Sequence, residues 1–72
     1  MEPKFKVGDS VMVRKEVYFM FHDSTIRRGE VGQVVEVDMH LVNVLGEYVY
    51  DYIVMIRGVP LFFYEDEIQK YP

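Results

Sequence analysis

The sequence predicts an all-β fold, a small, strongly bent antiparallel barrel of about five strands. Short runs rich in valine, isoleucine, tyrosine and phenylalanine alternate apolar with polar positions. Glycine and proline punctuate the gaps between them, and no segment carries an apolar stripe at helical spacing. The chain has 72 residues, half of them hydrophobic and 15% aromatic. A chain that short encloses one core and buries only about 60% of its unfolded surface, so residues 1–72 read as a single domain.

The first strand follows the Gly8-Asp9 turn, with Val11 and Val13 facing one way and Ser10, Met12 and Arg14 the other. A long polar and aromatic loop then runs to Gly29. Residues 31–38 are rich in β-branched side chains and predict a second strand, bent or bulged at Gly32, with the choice between Val34 and Val35 for the inward position left open. Residues 39–47, with Asn43 and Gly46, read as a connection holding a short extended piece at 41–44. Residues 48–57 form the clearest strand: Tyr50, Tyr52, Val54 and Ile56 share one face, and Asp51, Ile53, Met55 and Arg57 the other. Gly58-Val59-Pro60 turns the chain into a fourth strand, 61–64, where Leu61 and Phe63 oppose Phe62 and Tyr64. Glu65-Asp66-Glu67 suits one helical turn before a last strand at 68–71.

Composition excludes several functions. Without cysteine there is no disulfide, thiol catalysis, Cys-ligated zinc or iron–sulfur cluster, which favours a reducing, cytoplasmic setting. Eight Lys+Arg against 12 Asp+Glu give a net charge of −4, which repels nucleic acid on average. The longest apolar run, residues 17–21, falls far short of the roughly 20 residues that span a bilayer, so no membrane association is expected.

The order of elements resembles the SH3-like barrel superfamily. The likeness rests on Lys6-Val7-Gly8-Asp9-Ser10-Val11-Met12-Val13, Gly29-Glu30-Val31-Gly32-Gln33-Val34-Val35-Glu36-Val37, Tyr52-Ile53-Val54-Met55-Ile56 and Phe63-Tyr64-Glu65-Asp66-Glu67-Ile68. Within it, Gly-Asp-x-Val followed by Gly-x-x-Gly-x-Val resembles the KOW motif of RNA- or protein-binding domains. The closing Phe-x-Glu-Asp-Glu-Ile, with Arg14-Lys15-Glu16-Val17-Tyr18-Phe19, is similar to the photosystem I component that presents cations to ferredoxin. That close is also similar to the variable chain of ferredoxin–thioredoxin reductase. This chain is acidic, unlike RNA-bound KOW domains, and residues 22–28 add length before the second strand. The resemblance therefore implies the architecture and a non-catalytic docking role.

No catalytic constellation or cofactor motif stands out. His22-Asp23 lacks a nucleophile context, and Glu65-Asp66-Glu67 lacks the alternating ligands of a calcium loop. His40, beside Asp38, would join a zinc site only with His22 and distant carboxylates. No enzyme, metal or cofactor is therefore expected. The aromatic content is more informative. Of eleven Phe and Tyr, the core takes some, which leaves Tyr18, Phe19, Phe21, Phe62 and Tyr64 either as an exposed patch or, for the loop residues, folded back into a second small core. The leading expectation is a protein-binding accessory subunit or regulator that docks through Tyr18, Phe19, Phe21, His22, Phe62 and Tyr64. The alternatives are KOW-like RNA or DNA binding at Arg14, Lys15, Arg27 and Arg28, and a small acidic, for instance phage-encoded, inhibitor of a host enzyme. Self-association through the strand edge at 61–64 also stands open.

Overall fold

The computed structural model describes residues 2–41, 46 and 48–72. It is all-β, with seven strands and two isolated 3₁₀ turns among the described residues. Strands β1 (Ser10–Val13), β4 (Val31–Leu41), β5 (Tyr48–Ile56), β6 (Val59–Tyr64) and β7 (Ile68–Lys70) form one antiparallel sheet in the order β6-β5-β4-β1-β7. Strands β2 (Val17–Phe19) and β3 (Ser24–Ile26) pair separately as a hairpin. No helix among the described residues is long and apolar enough to cross a membrane.

The predicted alternation places the core. Val11 and Val13 of β1, Val34 of β4, Tyr52, Val54 and Ile56 of β5, Leu61 and Phe63 of β6, and Ile68 of β7 are all buried, joined by Phe5 and Ile26. Val34 takes the inward position and Val35 the outward one. The expected single helical turn is the 3₁₀ turn Glu65–Glu67, directly before β7.

Four details depart from the sequence reading. The irregularity in β4 falls between Val34 and Glu36, not at Gly32. Gly32 is needed for a different reason: a Cβ there would collide with the Met55 carbonyl and the Ile56 and Val54 side chains of β5. Residues 39–41, expected in a connection, continue β4, with Met39 opposite Tyr50 and His40 opposite Val49. The rest of the expected extended piece, 42–44, lies outside the described residues.

The β5–β6 turn comes one residue early. Arg57 and Gly58 both have positive φ, 54° and 74°, and sit between the paired residues Ile56 and Val59. Two left-handed residues between paired strands have the twist of a type I′ hairpin. Pro60 consequently lies inside β6, which it tolerates because β6 is an edge strand of the five-stranded sheet. Finally, the long first loop is organised by the β2–β3 hairpin. Its Ile26 is buried, and Val17 and Phe19 pack against the core.

Candidate functional site

Cross-strand register builds three rows on the face of β4, β5 and β6 that points away from the core. In an antiparallel sheet, residues directly opposite one another share a face and interact. His40 stands opposite Val49; Asp38, Asp51 and Tyr64 form the next row; Glu36, Ile53 and Phe62 form the third. Phe62 and Tyr64 pack edge to face with ring centroids 5.0 Å apart, yet remain 41% and 53% exposed.

The centre of the middle row is unusual. Asp51 keeps the outward orientation that alternation predicts, but it is only 4% exposed, the one buried acidic residue among the described residues. His40 reaches across from the neighbouring row and brings Nε2 within 2.7 Å of Asp51 Oδ2. The same Nε2 lies 3.7 Å from Asp38 Oδ2. Asp38 is aimed by its own backbone neighbourhood, since its Oδ1 accepts a hydrogen bond from the Met39 N–H at 3.0 Å. A cleft of about 210 Å³, lined by Glu36, Asp38, His40, Asp51, Ile53 and Phe62, opens over the group.

A larger cleft, about 550 Å³, lies beyond Tyr64, with Tyr48, Tyr50, Lys4, Lys15 and the Glu65–Glu67 turn in its walls. Two of its acids are already engaged. Glu65 Oε2 accepts from the Tyr52 hydroxyl at 2.5 Å and from the Lys4 N–H at 3.1 Å. Burial, followed by this contact with Glu65, pushes the Tyr52 hydroxyl well above the ordinary tyrosine range. Glu67 Oε1 accepts from the Tyr64 N–H at 2.8 Å and so caps the turn. These acids hold the 3₁₀ turn in place.

The sequence-predicted docking residues divide into two groups. Phe62 and Tyr64 belong to the outer face just described. Phe19 instead packs edge to face on Phe63, ring centroids 5.2 Å apart, and Phe63 points to the core. The hairpin thus approaches β6 from the side opposite Phe62 and Tyr64. Of the two alternatives weighed for the loop aromatics, folding back applies to Phe19, which is partly buried against the core, whereas Tyr18 is exposed and Phe21 is 97% exposed. His22 is exposed in the 3₁₀ turn Met20–His22. Asp23 accepts the Tyr18 hydroxyl hydrogen bond at 2.8 Å, which raises the Tyr18 pKa.

The candidate basic residues flank one backbone junction. Arg14 and Lys15 follow β1, whose Val13 exchanges backbone hydrogen bonds with Gly29 and Glu30, immediately after Arg27 and Arg28. A carboxylate stands among them. Glu30 accepts from the Arg27 N–H at 2.9 Å and from Arg57 through both its oxygens, at 2.8 and 2.5 Å. These donors hold its carboxyl below the usual range, the Arg27 N–H first.

Sequence reading missed Asp51 as a site residue. Its signal was an acidic residue in the middle of an otherwise apolar strand, but the meaning of that signal depends on the register that sets it between Asp38 and Tyr64. Comparison with protein-family models, with curated proteins and with solved structures finds no match to this chain.

Proposed function

We propose that this chain is a non-catalytic protein-binding module, an SH3-like barrel serving as an accessory subunit or regulator, and that its docking face is the outer side of β4, β5 and β6. The occupant is a basic segment of a partner protein. One observation carries the reading: an exposed aromatic pair, Phe62 and Tyr64, shares a face with the exposed carboxylates Glu36 and Asp38 on three strands that contain no Lys or Arg. All eight cations of the chain lie elsewhere. Arginine and lysine side chains stack on aromatic faces and pair with carboxylates, so the face complements them in both shape and charge. Both rings are carried on a hydrogen-bonded strand, which lowers the ordering cost on binding.

The test uses a fluorescently labelled extended peptide alternating arginine with valine, and a matched peptide with glutamate in place of arginine. The intact chain is expected to bind the basic peptide, with affinity falling as salt rises. Phe62→Ala together with Tyr64→Ala should weaken it by about tenfold or more, roughly 1.4 kcal/mol. Equal affinity for both peptides, or no loss in the double variant, contradicts the proposal. So does preferential binding of an RNA or DNA oligonucleotide that is lost on replacing Arg14, Lys15, Arg27 and Arg28.

A further inference from the structure

We propose that Asp38, His40 and Asp51 form a binding site for a single divalent transition-metal ion of the zinc type. The inference goes beyond protein docking and rests on these three side chains alone. Each offers one donor atom, and the three donors all lie within 4.8 Å of one another. Two ligands on one tetrahedral zinc ion, each at about 2.0–2.2 Å, stand about 3.3–3.6 Å apart. The separations from His40 Nε2, 2.7 Å to Asp51 and 3.7 Å to Asp38, bracket that span. Opening the His40–Asp51 contact by about 0.6 Å, a movement open to the exposed His40 ring, reaches it.

Charge explains why an ion belongs there. Asp38 and Asp51 face each other directly across β4 and β5, an arrangement that disfavours like charges. The Asp51 side chain is 6% exposed, so water screens it poorly. One divalent cation with neutral His40 balances both carboxylates. Asp38 also has the outer contact typical of a ligand, because the Met39 N–H occupies Oδ1 and leaves Oδ2 turned toward His40. An imidazole with two carboxylates selects zinc over magnesium and calcium, which prefer all-oxygen shells. Three protein ligands leave a position open to water or to a partner's side chain, toward the cleft that Phe62 borders.

The test is calorimetric titration of the intact, unliganded chain with zinc chloride at neutral pH, with magnesium chloride as comparator. The expected result is one equivalent of zinc bound, no matching magnesium isotherm, and shifts of the His40 imidazole resonances. Asp38→Asn and His40→Gln, both at exposed positions, should each weaken zinc binding by at least tenfold, and His22→Gln should leave it unchanged. Circular dichroism of the free variants confirms that they fold. Absence of zinc binding, a loss in His22→Gln equal to that in His40→Gln, or a stoichiometric site surviving in both Asp38→Asn and His40→Gln overturns the proposal. Asp38 belongs to the docking face as well, but zinc stoichiometry is read without peptide and the peptide test turns on Phe62 and Tyr64, so the two readings fail separately.

Discussion

Tyr52 shows how a single side chain joins several parts of this small core. Its ring is buried, packs edge to face on Phe5 with centroids 5.3 Å apart, and its hydroxyl reaches Glu65 at the start of the 3₁₀ turn. Tyr52→Phe keeps the ring and leaves the Glu65 carboxylate with one donor fewer. A hydrogen bond to a charged, partly buried acceptor contributes about 1–2 kcal/mol. Thermal unfolding should therefore shift down by about 4–16 °C in a domain of this size. An unchanged midpoint would show that water replaces the contact at no cost. The burial of Tyr52 was readable from alternation alone, but its partner Glu65 lies 13 positions away and becomes visible only once the 3₁₀ turn is placed. Asp51 marks the same limit more sharply. Period two sends it to the outer face, as observed, and says nothing of the imidazole that covers it.

At the scale of elements, the alternating strands were readable, as was short β7 behind its helical turn, and the hairpin of β2 and β3 was not. β6 follows its apolar alternation along its whole length and β5 does so from Tyr52 to Ile56. β2 and β3 have three residues each, too few to show a period, and they appeared in the sequence only as an aromatic loop. Tertiary packing defines that hairpin, through Phe19 on Phe63 and through buried Ile26. Phe19→Ala removes a half-buried ring and one edge-to-face contact, a loss of about 1–2 kcal/mol. The effect should be local: amide exchange should speed up at Val17 to Ile26 while β4 and β5 keep their protection. Equal loss of protection across both sheets would mean that the hairpin and the five-stranded sheet unfold as one unit. The β4 extension was hidden for a different reason. Met39 and His40 lie beside a Gly- and Asn-containing stretch that argues for a turn, and pairing with Tyr50 and Val49 overrides it.

For the molecule as a whole, the distribution of charge matters more than its sum. Cations concentrate around the N-terminal segment, the β1 end and the turns, and several are tied to carboxylates there. Lys70 Nζ lies 3.2 Å from Asp9, whose carboxyl also accepts from the Lys6 N–H, and Arg57 holds Glu30. Both carboxyls titrate below their ordinary values in the fold, chiefly because of the Lys6 and Arg27 N–H bonds respectively. The folded chain thus favours the charged forms. Their contribution is complete above the unfolded values near pH 4 and is lost as pH falls through the lower folded values. The unfolding midpoint should drop on acidification below about pH 4, and Glu30→Gln should make that drop shallower. A midpoint equally steep in the variant would remove Glu30 from the account.

With those cations engaged elsewhere, the outer face of β4, β5 and β6 is left acidic and aromatic, and this asymmetry is the basis of the docking proposal. The most direct measurement is a two-dimensional amide NMR titration of the intact chain with the unlabelled arginine–valine peptide. The account predicts saturable shifts concentrated at residues 36–40, 49–53 and 61–64, with the hairpin 17–26 undisturbed. Shifts centred on Tyr18, Phe21 and His22, or spread without focus over the surface, would contradict it.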